Sequence, residues 1–119
     1  GVDDLLLESC ALGIEGWVSG LTDVFPEESV ELWTLCQAGR FAEARALYRW
    51  FTPLLHLDTS SKLVQYIKLG QQVVGLGSEK VRAPRLELAG DERAEIIALY
   101  EKALATRPKL SNRPKSAVA

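Results

Sequence analysis

GWVSGLTDVFP, residues 16–26, is the stretch that decides the predicted fold. Trp17 and Val18 form a short apolar run, and Ser19-Gly20 ends it at a polar turn before Pro26, which suits the first position of a helix. An apolar strand without polar alternation is typical of a parallel sheet covered on both faces. A strand must pair its backbone groups with neighbours, yet the sequence offers no second strand pattern. The sequence therefore predicts one isolated strand over 16–20, between helices.

Helical patterns occupy most of the remaining chain, and the clearest lies at 41–56. Its apolar residues recur at spacings of three and four, which is the period of an amphipathic helix; they are Ala44, Leu47, Tyr48, Phe51, Leu54 and Leu55. Pro53 should kink or end this helix. Gly70 lies inside another predicted helix at a cost of about 1 kcal/mol relative to alanine, so we expect it to mark a close contact. The predicted helices cover 3–12, 27–38, 41–56, 61–74 and 91–105, with an extended arm near 82–86.

Composition and charge exclude several classes of protein. The chain has 119 residues, enough for one small core, and a net charge of −2, which argues against a general nucleic-acid surface. No apolar run reaches the length of a membrane span, and no signal peptide is visible, so we expect a cytoplasmic protein without membrane or nucleic-acid partners. A start at Gly1 that enters a helix at once indicates a piece of a longer chain.

The two cysteines and the C-terminal tail carry no chemical motif. Cys10 and Cys36 lie in separate predicted helices without metal-ligand spacing, so we expect buried free thiols and no metal. The segment 106–119 is basic, contains prolines and is expected to be disordered. Contact of this tail with an acidic partner is the less favoured alternative.

Few side chains stand out as candidates for catalysis. His56 is the single histidine, and a packed or solvent-facing position at a helix end is favoured over a catalytic base, which would need a positioned acid and a cleft. Asp3 and Asp4 are adjacent, so they do not form a facing carboxylate pair. They suit the first turn of a helix, or they line a site at the end of a preceding strand. The lysines have the pattern of solvated residues, whereas Schiff-base chemistry needs a desolvated amine.

Two helices also allow a rival interpretation. The stretches AGRFAEARALYRWF and ALYEKALATRP are similar to pieces of tetratricopeptide repeats, which are helix pairs that bind proteins. Such repeats recur about every 34 residues, and Tyr48 and Tyr100 are further apart than that. A free-standing helical interaction module therefore remains the second hypothesis.

Several stretches together resemble one known family over residues 1–105. They are GVDD at 1–4, LGIEGWVSGLTDVFPE at 12–27, AGRFAEARALY at 38–48, PLL at 53–55, KLVQYIKL at 62–69 and RAPRL at 82–86. In these stretches the chain resembles the C-terminal part of a dihydrodipicolinate synthase / N-acetylneuraminate lyase family protein. The resemblance implies an α/β fold, the C-terminal portion of a (β/α)8 TIM barrel, although the chain itself is mostly α. Residues 1–39 would be the last βα units with strand eight, 40–105 a three-helix extension and 106–119 the tail.

The same resemblance implies a function. Family members form a Schiff base between a lysine and a 2-keto acid such as pyruvate, need no cofactor and are commonly tetramers or dimers. The lysine and its partners would lie upstream of Gly1, so the segment alone would be inactive and would need the missing N-terminal part of the barrel. The residues that would bind substrate here are Gly1, Asp3, Asp4, Val18, Ser19 and Gly20. Asp23 stands where many members have asparagine, and KLVQYIKL followed by VRAPRL is most similar to deaminases of 1-pyrroline-4-hydroxy-2-carboxylate.

Overall fold

The computed structural model describes residues 2–110, which contain five α-helices. The helices are α1 (Leu6–Ala11), α2 (Pro26–Gln37), α3 (Phe41–Leu55), α4 (Leu63–Val73) and α5 (Gly90–Ala105). Turns of 3-10 helix cover Asp3–Leu5, Leu21–Asp23 and His56–Thr59. The five predicted helices are confirmed, with ends that differ by a few residues. Gly1 and residues 111–119, which include part of the predicted tail, lie outside the described residues.

The predicted strand over 16–20 is wrong for the part of the chain that is described. Residues 16–19 belong to no helix or sheet, and no strand occurs anywhere in residues 2–110. The physical reason is that a strand exists only when its backbone groups pair with a neighbour. No other described segment offers such a neighbour, so the apolar run passes between α1 and α2 without a hydrogen-bonded ladder.

Helix α3 lies at the centre of the core. The six apolar residues of its predicted stripe are all buried, which confirms the amphipathic pattern. The helix packs on α2 and α5, and Phe25 meets both Trp50 and Phe51 edge-on, with ring centroids 5.3 and 5.9 Å apart. Pro53 stands near the end of α3, which stops at Leu55 and passes into the 3-10 turn, as a proline in that position predicts.

A close contact at Gly70 joins α4 to α5, as the sequence predicted. A Cβ atom added at Gly70 would lie 2.7 Å from the hydroxyl oxygen of Tyr100, whose side chain is completely buried. The Tyr100 hydroxyl donates a hydrogen bond of 3.0 Å to the Tyr66 carbonyl. The absent side chain therefore lets the tyrosine ring lie directly against the backbone of α4.

Both cysteines are buried free thiols, as predicted. Cys10 lies near the end of α1 and Cys36 near the end of α2, and the two side chains meet in the core. Burial, followed by the hydrogen bond and charge of Cys10, raises the pKa of Cys36 to about 12. Cys36 is therefore a protonated, unreactive thiol at neutral pH.

The chain after α5 folds back over α2, so the start of the predicted tail has defined contacts. The Arg107 guanidinium donates bonds of 2.5 and 3.1 Å to the two carboxylate oxygens of Glu28. It also lies over the Phe25 ring, 5.4 Å from the centroid. The expectation of disorder from residue 106 onward does not hold for Arg107, because a fully buried carboxylate binds it.

None of the helices in residues 2–110 is long and apolar enough to cross a membrane.

Candidate functional site

The carboxylate of Asp3 joins the beginning of the described chain to the segment after residue 16. Its Oδ2 accepts hydrogen bonds from the Ser19 hydroxyl at 2.7 Å and from the Leu21 amide at 3.3 Å. Its Oδ1 accepts a bond of 3.1 Å from the indole N–H of Trp17. The side chain is completely buried. Asp3 therefore brings itself and Ser19, both predicted to line a substrate pocket, into one place.

Opposing effects act on the charge of Asp3. Burial raises the pKa of its carboxyl group and outweighs the three donated hydrogen bonds, which act to lower it. The nearby carboxylate of Asp58 adds to the rise. Burial penalises the charged form, while donors pointing at both oxygens favour it.

Asp4 has different hydrogen-bond partners from Asp3. Its Oδ2 lies 3.1 Å from Nδ1 of His56, and its backbone carbonyl accepts a hydrogen bond of 2.5 Å from the Tyr48 hydroxyl. The same hydroxyl lies 3.0 Å from a carboxylate oxygen of Glu8. The other oxygen of Asp4, Oδ1, is buried without a hydrogen-bond partner among the described residues. The two adjacent acids thus diverge, as the sequence predicted for neighbours on one helical turn.

His56 lies at a helix end, as predicted, and its side chain faces solvent. Its side chain is 60% exposed at the start of the 3-10 turn after α3. Asp4 is the acid beside its ring.

Val18, Ser19 and Gly20 were predicted to line a substrate pocket, and we call these three residues the pocket wall. Val18 is 87% exposed although it is apolar, whereas Ser19 and Gly20 are half-buried. A Cβ atom at Gly20 would lie 2.5 Å from Cδ1 of Ile67, so α4 supports the wall from behind. Its uncovered side is the side that presents Val18.

A groove of about 290 Å³ opens beside the pocket wall. Trp17, Val30 and Trp33 contribute its apolar lining, and Val30 is largely exposed. The residues from 2 to 110 contain no group of three or more histidine, cysteine or acidic side chains placed to hold a metal ion.

Sequence reasoning missed the roles of two residues at this site. Asp58 was not among the candidate residues, but its Oδ2 accepts a hydrogen bond of 3.0 Å from the backbone N–H of Asp3. Trp17 was expected only as a buried strand residue, but its indole binds the Asp3 carboxylate. Neither contact has a sequence signal, because each joins segments that are distant along the chain or separated by a turn.

One protein family matches the chain over most of its length. The chain belongs to the dihydrodipicolinate synthetase family, whose model matches residues 1–103. This confirms the resemblance seen in the sequence and assigns α3 and α5 to this family rather than to tetratricopeptide repeats.

Curated relatives and a solved structure agree with that assignment. A 4-hydroxy-tetrahydrodipicolinate synthase of Methanococcus maripaludis is 28% identical over 96 residues, which cover 81% of this chain and 33% of the relative. An N-acetylneuraminate lyase of Actinobacillus pleuropneumoniae is 28% identical over 105 residues, covering 87% of this chain and 36% of that one. A crystal structure of a Pseudomonas aeruginosa protein assigned as a dihydrodipicolinate synthetase superposes with a TM-score of 0.76 at 28% identity, covering 87% of this chain and 36% of that chain. The chain thus spans about a third of the length of the relatives it matches.

Proposed function

We propose that this chain is the C-terminal part of a lysine-Schiff-base lyase or deaminase that acts on a 2-keto or cyclic imino acid. In this proposal residues 16–20 become strand eight of a (β/α)8 barrel when the upstream strands are present, and α3, α4 and α5 form the C-terminal extension. The intact polypeptide, meaning this chain together with those upstream strands, carries the activity.

One observation carries the proposal: the pocket wall is held firmly from one side and is bare on the other. Asp3 and α4 fix its position, yet Val18 projects an almost fully exposed apolar side chain. The apolar groove beside Trp17 adjoins the same segment. Apolar side chains clustered on one exposed face mark a surface that another part of the structure covers. Neighbouring barrel strands and their helices would cover this surface and pair the backbone of 16–20.

The chemistry would come from residues upstream of Gly1. A lysine amine would attack the carbonyl carbon of the 2-keto acid, and loss of water would leave an imine that withdraws electrons from the adjacent carbon. The chain described here would supply the far side of the pocket, at the carboxyl end of strands seven and eight. Gly1, Asp4, Val18, Ser19 and Gly20 are the proposed lining residues. The intact polypeptide is proposed to be a cytoplasmic dimer or tetramer.

Borohydride trapping tests the proposal. The intact polypeptide incubated with pyruvate and sodium borohydride should gain the mass of one reduced pyruvyl group on a single lysine. Residues 1–119 alone should gain none, and a specific adduct on this segment would refute the upstream location of the lysine. No adduct on the intact polypeptide would refute Schiff-base catalysis.

The proposed substrate is the one used by the deaminase branch of the family. We propose 1-pyrroline-4-hydroxy-2-carboxylate because KLVQYIKL and VRAPRL resemble that branch, with a synthase-like condensation of pyruvate as the second candidate. Ammonia release from the imino acid distinguishes the two. The deaminase proposal fails if the intact polypeptide consumes pyruvate with an aldehyde but releases no ammonia from the imino acid.

A further inference from the structure

Both oxygens of the Asp3 carboxylate accept hydrogen bonds from the protein itself. Trp17 binds one oxygen, and Ser19 with the Leu21 amide binds the other. The side chain is completely buried by residues 2–110 alone, and further barrel strands can only bury it more. A substrate could reach this carboxylate only by displacing the residues that bury it and by breaking the hydrogen bonds that they donate.

We propose that Asp3 is a positioning residue that fixes the pocket wall, acting through Ser19 and the Leu21 amide without touching substrate. The inference deepens and rests on the proposed function, since it concerns the wall of that same pocket. The two bonds to Oδ2 bracket Gly20, because one comes from the residue before it and the other from the residue after it. A displacement of the wall relative to Asp3 would therefore weaken or break these bonds.

The C-terminal extension contacts both Asp3 and the pocket wall. Asp58, in the 3-10 turn after α3, accepts the backbone N–H of Asp3 at 3.0 Å. Ile67 of α4 lies so close to Gly20 that a Cβ atom there would have to displace the Ile67 Cδ1. Asp3 is thus tied to the extension through its backbone and to the pocket wall through its side chain, and it transmits the position of one to the other.

The chemistry of asparagine makes Asp3→Asn a sharp test. The variant keeps the shape and one oxygen, which can still accept from Trp17. The amide nitrogen then takes the place of Oδ2 and points its hydrogens at the Leu21 N–H, so that two donors face each other. The pocket wall should shift, and a displacement of about 1 Å can lower turnover about 100-fold.

A double-mutant cycle in the intact polypeptide separates positioning from substrate contact. We expect Asp3→Asn to lower kcat/KM about 100-fold and Ser19→Ala about 10-fold. The double variant should be close to Asp3→Asn alone, because both changes remove the same bond. Multiplied effects, about 1,000-fold in the double variant, or an unchanged kcat/KM in Asp3→Asn, would overturn the inference.

Two further variants guard against ambiguity. Ser19→Thr keeps the hydroxyl donor and should retain most of the activity that Ser19→Ala loses; equal losses in both would count against the inference. If Asp3→Asn does not fold, Trp17→Phe replaces it, since of the three hydrogen bonds to the Asp3 side chain it removes only the one to Oδ1. It should lower kcat/KM several-fold, and an unchanged value would overturn the inference.

The pyruvate and borohydride adduct keeps this inference separate from the proposed function. The wild type and the Asp3→Asn variant should both form the adduct, because the substitution leaves the upstream lysine in place. If the wild type forms the adduct and the effects of the two substitutions multiply, the positioning role of Asp3 is refuted but the proposed function is not. A wild type without adduct refutes the proposed function instead.

Discussion

Replacing Arg107 with alanine should destabilise the protein by removing the counter-charge of a buried acid. Glu28 is 0% exposed, and the Arg107 side chain that covers it is 31% exposed. Both Glu28 oxygens accept from this one guanidinium, at 2.5 and 3.1 Å. Breaking a buried ion pair by removing one partner costs about 3–5 kcal/mol. Because water already reaches part of Arg107, we expect a smaller loss of about 2–3 kcal/mol in the free energy of unfolding.

Thermal unfolding of the intact polypeptide measures this loss. Each kcal/mol shifts the melting temperature of a domain of 150–250 residues by about 2–4 °C, so the expected drop is roughly 4–12 °C. Arg40→Ala is the matched control: its partner Glu43 lies 2.5 Å away, but the two side chains are 50% and 55% exposed. An exposed pair contributes about 0.2–1 kcal/mol, so the control should move the midpoint by only a few degrees at most.

A second substitution separates charge from packing. The carboxamide introduced by Glu28→Gln carries no charge, so Arg107→Ala combined with Glu28→Gln should be more stable than Arg107→Ala alone. If Arg107→Ala is as mild as Arg40→Ala, or if the double variant is less stable than Arg107→Ala, the reasoning from a buried uncompensated charge is refuted.

The remaining predictions concern buried contacts and a buried thiol. Gly70→Ala should lower stability by about 1–3 kcal/mol despite the better helix propensity of alanine, because its Cβ would meet the buried Tyr100 ring; an unchanged melting temperature would contradict the contact. Tyr48→Phe should cost about 1–2 kcal/mol, since the Asp4 carbonyl loses a buried donor, and a neutral effect in thermal unfolding would argue against that bond. Cys36 should resist iodoacetamide in the folded protein, because its pKa is about 12, and rapid alkylation at pH 8 would contradict this. Its raised pKa favours the folded state below the ordinary thiol pKa of 9.0; this contribution should be lost as the pH rises toward 12, which a series of melting curves with Cys36→Ala as reference would show.

The helical part of the fold was predictable because its signals are local. The stripe of α3 repeats at the helical period and is buried as expected, and Gly70 was expected to mark a close approach. Pro26 begins α2, where its missing N–H costs nothing. The family also follows from the sequence, because its stretches lie along nearly the whole chain.

The strand and the contacts of the site were not predictable in the same way. The apolar run over 16–20 satisfies every local rule for a strand, but pairing needs a neighbour that residues 2–110 do not contain. Asp3 suited both a first-turn acid and a substrate ligand, and periodicity cannot choose between them. Three donors from residues 17–21 decide how its carboxylate is used.

The sequence by itself determined the helices, the buried faces and the family, since these depend on residue spacing and on motifs along the chain. Only the tertiary structure decided that Arg107 pairs with Glu28 and that Asp58 reaches the backbone of Asp3, across separations of 79 and 55 residues. The physical reason is that a buried charge or amide must find a partner. The folded chain, and not the order of residues along it, determines which partner is near.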